Sequence, residues 1–402
     1  MEVSLYFHVP FCAGLCDYCD FYSVLSKPTD PRLDRFVDRC LEDLETLFKS
    51  HPISRVPSVY LGGGTPSLLG GPRLSRLLGG IRALLPSVPD EWTVEANPES
   101  VDDPFLRSCL DGGVTRLSLG IQSFNAPSRL SVGRIGTVEA ARNALFRSVS
   151  VFGTHVSVDL IAGLPYQSAD SLVSDLDEIL ESGASHVSLY SLTVEDGTPL
   201  AQKKEQGTVE LPSPEGADDL WILGRDRLIS RGLQHYEVSN FAVPGLESLH
   251  NMRYWRMESW IGIGPSASTT LVDEAEGTAV RRSVGADVGA YIQGRPIIQQ
   301  ERIDRRTLME EMIMMGLRTT GGIDEGRFFS RFGWTAEALI ADTLHRWRSR
   351  SLAHPSRPAL TEGGLLLLNQ FLKQALEELE AKVPSTPGIP GGFTDKSEKP
   401  LD

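Results

Sequence analysis

Three of the five cysteines fall in one short stretch, Cys12-Ala13-Gly14-Leu15-Cys16-Asp17-Tyr18-Cys19. Spacings of four and three bring their thiols round one side of a tight loop. Thiolates suit iron–sulfur clusters, zinc or Cu(I). Three ligands leave a tetrahedral zinc site incomplete, and they leave one iron of a [4Fe–4S] cluster without a protein ligand. An iron with an open position can bind and activate a substrate. At this level a cluster, a zinc site, a disulfide and plain packing all stay open. Cys40 and Cys109 stand alone in helix-like patterns and read as small buried hydrophobes.

A second set of residues offers polar groups. Gly62-Gly63-Gly64-Thr65-Pro66 lets the backbone approach a ligand closely, with N–H groups free to meet a carboxylate. It is neither a P-loop nor a dinucleotide fingerprint, because no Gly-Lys-Ser/Thr follows and the glycine spacing differs. Further along come Glu95-Ala96-Asn97-Pro98, Gln122-Ser123-Phe124, Arg134, and Asp159 ahead of Gly163-Leu164-Pro165. Singly, each reads as a helix cap or a surface charge. Together, after successive strands of one sheet, they would ring the cysteine loop, offering a carboxylate for ribose hydroxyls and an arginine for a ligand carboxylate.

The elements that must position them are legible in the hydrophobic pattern. Strands are expected over 3–9, 58–61, 93–96, 116–121, 155–161 and 186–192. Amphipathic helices are expected over 31–48, 72–85, 103–111, 138–149 and 169–182. Six β/α repeats favour a parallel sheet with helices outside it. They are too few for a closed eight-fold barrel, which leaves a partial barrel or a doubly wound sheet. In both, ligands gather beyond the carboxyl ends of the strands, where the cysteine loop follows strand 1. A helix over 214–230 and a turn-rich return to the sheet complete the unit at 1–270. Residues 271–303 read as a connector with one short helix. Residues 304–382 read as a small helical domain with a wing turning at Thr361-Glu362-Gly363-Gly364-Leu365. The tail from 383 to 402 reads as disordered.

The chain of 402 residues carries a net charge of −14, which argues against general affinity for nucleic acid or anionic membrane. No apolar run is long enough to span a membrane, and no basic, apolar leader opens the chain. Five cysteines without an export signal point to a reducing cytoplasm.

The quoted motifs, with Tyr6-Phe7-His8-Val9-Pro10-Phe11-Cys12 and Arg116–Phe124, resemble the radical S-adenosylmethionine (SAM) enzymes of the oxygen-independent coproporphyrinogen oxidase group. His235–Ala242 and His250-Asn251-Met252-Arg253-Tyr254-Trp255 are similar to the heme-chaperone branch of that group. The resemblance covers nearly the whole chain. It implies a partial six-fold β/α barrel with a winged-helix-like C-terminal unit. It also implies that Cys12, Cys16 and Cys19 hold a [4Fe–4S] cluster whose fourth iron takes the amino and carboxylate groups of SAM, for reductive cleavage. Tyr6, Gly63, Gly64, Thr65, Glu95, Gln122, Arg134 and Asp159 would contact SAM. His250, Asn251, Tyr254 and Trp255 are the heme-binding candidates, with His8 and His235 as competing ligands. Heme-accepting respiratory proteins would be the partners, reached by transient docking at a membrane protein, and a homodimer stays open. Phe21 stands where the oxidase branch has a further cysteine, and Gly136 where the group often has histidine. The chain also opens almost at strand 1, where that branch has an extension. The first and last features weigh against the alternative activity, conversion of coproporphyrinogen III to protoporphyrinogen IX.

Overall fold

The computed structural model describes residues 1–383, so the tail expected to be disordered lies outside the described residues, apart from Val383. Its framework is one mixed sheet. The parallel strands are β1 (Ser4–Val9), β2 (Ser58–Gly63), β3 (Glu91–Ala96), β4 (Arg116–Gln122), β5 (Val156–Ala162) and β6 (His186–Ser191). They then continue with β7 (Gln234–Glu237), β8 (Asn240–Ala242), β9 (Trp260–Ile263), β10 (Ser268–Asp273), β11 (Thr278–Val284) and β12 (Ile298–Ile303). The order across the sheet is β12-β11-β10-β9-β1-β2-β3-β4-β5-β6-β8-β7. Strands β1 to β6 lie in sequence order and all pair in parallel. A doubly wound sheet would reverse direction at a switch point, so the consecutive order selects the partial barrel.

Alternation along these strands explains why the barrel has a wet interior. Leu5, Phe7, Val59, Leu61, Val94, Leu117, Leu119, Val158 and Leu189 point outward and are fully buried under the helices. The intervening positions are polar: Ser58 and Tyr60, Thr93 and Glu95, Ser118, Asp159, and His186 and Ser188. A parallel strand buried in apolar surroundings on both faces would read as continuous Val, Ile and Leu. Here one face of each strand lines a polar lumen. Helix Arg32–Ser50 shows the complementary logic, burying Leu33, Phe36, Val37, Cys40 and Leu44 on one stripe. Side-chain caps from Asp102, Thr137 and Ser168 start the helices after strands β3, β4 and β5.

Two segments differ from the expectation. Residues 271–303 are sheet: β10, β11 and β12 form an antiparallel extension continuing outward from β9, with helix Val288–Ile292 between the last two. Their alternation was faint because the outer strand is an exposed edge carrying Gln299, Gln300, Glu301 and Arg302, as edges usually do. The C-terminal unit is helical, and its apolar core takes in Met257, Ala279 and Ile303 from the sheet side. Thr361 caps a helical turn, Glu362–Leu365, accepting from the Gly364 N–H at 3.2 Å, where a hairpin turn was expected. A single antiparallel bridge, Ala353 with Leu360, stands in the wing's place.

Candidate functional site

The cysteine loop leaves β1 and is stitched down at both ends. Phe11–Cys12 pairs with Val24–Leu25 in a two-stranded parallel ribbon. Within the loop, the Asp17 N–H donates to Val132 O (2.9 Å), and Asp17 O accepts from the Leu200 N–H (2.8 Å). Cys12, Cys16 and Cys19 are all free thiols and all line one cavity of about 350 Å³ at the carboxyl ends of the strands. Gly63, Gly64, Glu95, Gln122, Arg134 and Asp159 line the same cavity. Nine of the residues expected from sequence are thus brought together.

Local backbone chemistry accounts for several placements. Gly63 sits at φ +105°, and a Cβ there would come within 2.6 Å of the His8 ring. A Cβ on Gly64 would press on Val9 O at 2.8 Å, so side chains are excluded from this turn. Gln122 holds φ +70°, at a register shift between β4 and β5. Such an irregularity at a strand end turns a side chain toward a site, and its strain belongs to functional positions.

Arg134 reaches in from the following loop. Its Nη1 lies 3.4 Å from Cys16 Sγ, and its Nη2 donates to Asn97 Oδ1 (2.8 Å) and to Gly120 O. Its Nε is buried without a partner, a donor left for an acceptor such as a carboxylate. Glu95 accepts from the Tyr60 hydroxyl (2.6 Å) and the Gly63 N–H (3.1 Å). Burial, with Asp159 nearby, pushes its carboxyl up to about 7. Burial likewise raises Asp159 to about 6 against hydroxyl donation from Ser188 and Ser118.

Thr65 and Tyr6 stand behind this wall. Thr65 donates to Cys12 Sγ at 3.4 Å and receives the Asn97 amide at 2.9 Å, so it fixes a ligand thiol. The Tyr6 hydroxyl is 3.0 Å from His8 Nδ1. Tyr60 was not singled out from sequence, and Asn97 was quoted only within the stretch Glu95–Pro98, with no role of its own. Both were findable, because they lie two residues from Glu95 and Gly62 and side chains two apart share a strand face.

The four heme candidates lie away from the cavity on helix Leu249–Trp255 and its flank. His250 is buried, with Nδ1 2.8 Å from Ser58 Oγ and Nε2 3.0 Å from the Tyr254 hydroxyl. Burial, then Arg253, pulls its imidazole down to about 3. Asn251 faces a small polar space of about 40 Å³ in the lumen. Trp255 lines a separate cleft of about 310 Å³ beside the C-terminal unit. His8 and His235 are buried as well.

The donor set fits the [4Fe–4S] cluster that the resemblance implies. Three unpaired thiols face a cavity that also holds a glycine turn, a buried carboxylate and an arginine with an unused donor. Among the described residues no three His, Cys, Asp or Glu side chains close tightly enough for a single metal ion.

Family comparison agrees. The radical SAM superfamily matches residues 6–203. In fold the chain resembles the solved coproporphyrinogen III oxidase HemN of Escherichia coli, with a TM-score of 0.78 at 20% identity over 93% of this chain and 90% of that one. The fold is that of a radical SAM protein, a class that implies a [4Fe–4S] cluster and SAM. Heme chaperone HemW of Lactococcus lactis is 34% identical over 93% of this chain and 97% of its own length. Heme chaperone HemW of Escherichia coli is 32% identical over 94% and 98%. The mouse mitochondrial radical S-adenosyl methionine domain-containing protein 1 is 34% identical over 80% and 74%. The chain belongs to the HemW family.

Proposed function

We propose that this protein takes up heme and passes it to heme-requiring respiratory proteins, working in the cytoplasm with a cluster and SAM on a radical SAM scaffold. The observation that carries this reading is identity of 31–34% along more than nine-tenths of the chain with proteins named heme chaperone. The oxidase likeness is one of fold. Phe21, 66% exposed at the cavity rim, occupies the oxidase branch's extra cysteine position. Cys12, Cys16 and Cys19 would hold the cluster, which when bound offers SAM an open iron. Arg134 would orient the SAM carboxylate, the Gly63–Gly64 turn would pass close to its methionine part, and Glu95 and Asp159 would meet its polar or cationic groups. Heme contact is assigned to helix Leu249–Trp255. For His250 to ligate iron, its bond to Tyr254 or its bond to Ser58 must open.

One anaerobic, cluster-reconstituted preparation tests this. Heme titration should give a saturable Soret change, and the loaded protein should transfer heme to an apo respiratory heme protein. Incubation with SAM, reductant and coproporphyrinogen III should give no protoporphyrinogen; steady turnover would overturn the chaperone reading. Cys16→Ser should lose cluster absorbance and keep the fold. A full cluster in that variant would refute the ligand assignment.

A further inference from the structure

The helix carrying His250 lies outside the cysteine-lined cavity, yet a continuous set of short contacts joins the two. One face of β2 presents Ser58 and then Tyr60. Ser58 Oγ donates to Ser4 Oγ (2.8 Å), which also receives Arg253 Nε (2.7 Å). With that hydroxyl direction, His250 Nδ1 donates to Ser58 and Nε2 accepts from Tyr254. The Tyr60 ring stacks on the His250 ring, with centroids 4.9 Å apart and planes at 27°. The Tyr60 hydroxyl then donates to Glu95, whose other oxygen takes the Gly63 N–H. From His250 to the glycine turn there are two side chains and no gap.

The helix itself is fixed to the barrel at its start. Glu91 on β3 accepts from the Leu249 and His250 N–H groups, each at 2.9 Å, satisfying donors that a helix N-terminus leaves unpaired. At its far end, Met252, Trp255 and Arg256 line the cleft with Met312 and Ile323 of the C-terminal unit. Arg253 pairs with Glu258 (2.6 Å), which also binds Arg327 (3.0 Å). Tyr60 and Glu95 also border the polar lumen space that Asn251 faces, so the path runs through their direct contacts and not through bulk packing.

We propose that Tyr60 and His250 are positioning residues coupling the cavity wall formed by Glu95 and Gly63 to helix Leu249–Trp255. Occupancy of the cavity by SAM thereby sets how tightly that helix, and the cleft wall it carries, is held. This rests on the reading of the cavity as a SAM site. A ligand touching Glu95 and Gly63 changes the acceptor available to the Tyr60 hydroxyl, and a shift of the Tyr60 ring alters its stack on His250. Two sites coupled in this way bias each other reciprocally.

Amide hydrogen exchange on the full-length, cluster-reconstituted protein tests the coupling without reference to heme or turnover. Saturating SAM should slow exchange in residues 249–255 by about fivefold or more, the lower range for coupled sites. Helix Leu368–Lys382 should be unaffected. Tyr60→Phe keeps the ring stack and removes only the hydroxyl bonded to Glu95. It should still bind SAM at higher concentration, and its helix should no longer respond. A melting curve close to wild type confirms that Tyr60→Phe is folded. An unfolded Tyr60→Phe is replaced by Tyr60→Leu, which loses the hydroxyl and the stacked ring together and whose helix should likewise no longer respond; a wild-type response in either folded variant overturns the coupling. Unchanged exchange with SAM bound overturns the coupling alone. Failure of SAM to bind the wild-type protein overturns the site reading and the coupling with it.

Discussion

Glu95 is the residue whose chemistry is most exposed to test. A carboxyl raised from 4.5 to about 7 by burial keeps its proton in the folded protein where the unfolded chain would lose it. Its contribution to stability is therefore full below about 4.5 and is lost as pH rises through about 7. A cationic ligand reverses the balance, because an adjacent positive charge favours the ionised carboxylate. SAM carries a sulfonium and an ammonium, so its binding should release protons, most strongly between about pH 6 and 7, where Asp159 and Glu95 titrate. Calorimetry in buffers of different ionisation enthalpy measures that release. The Glu95→Gln protein should release less than wild type across this window; equal release would remove Glu95 from the ligand's surroundings.

At the scale of elements, the cysteine loop depends on a short helix that its own sequence does not announce. Lys203, on helix Pro199–Glu205, bonds Asp17 Oδ2 at 2.6 Å and Ser131 O at 3.2 Å. Lys203 is 40% exposed and Asp17 16%, so the pair contributes about 1 kcal/mol at most. Lys203→Met should leave the melting temperature nearly unchanged and speed loss of reconstituted cluster to a chelator by about fivefold, the kinetic equivalent of that energy. Equal loss rates in the two proteins would show that the ribbon and the Asp17 backbone bonds hold the loop unaided. The distinction between near and distant anchors also explains what the sequence made legible. Cysteine spacing, the glycine turn and the polar strand ends are local patterns, and six parallel strands follow from local alternation. The Lys203–Asp17 pair spans 186 positions, and Arg134 meets Cys16 across 118. No spacing rule reaches that far. Spacing does not decide the role of His250 either: a histidine beside aromatics reads the same whether its nitrogens await iron or bond Ser58 and Tyr254.

Across the whole molecule, the barrel and the C-terminal unit share an apolar core through Met257, Ala279 and Ile303 and are joined by charge as well. The turn between β10 and β11 carries Glu274, which pairs with Arg327 and Arg331 of helix Glu325–Phe332 at 2.7 Å each. The Arg331 side chain is fully buried, and its other acceptors are Met257 O (3.3 Å) and the Met312 sulfur (3.4 Å). That makes the antiparallel extension, read from sequence as a mere connector, the surface on which the C-terminal helices are seated. Glu274 is itself 55% exposed, so water can take its place beside the buried guanidinium, and removing it costs about 2 kcal/mol, below the range for a fully buried pair. Glu274→Ala should therefore lower the melting temperature and open residues 304–382 to protease before the barrel is cut. Arg327→Ala touches the same carboxylate from a partly exposed position and should cost less. An Arg327→Ala loss as large as that of Glu274→Ala would place the stabilisation in the exposed pair, and the buried Arg331 would not be what holds the two units together.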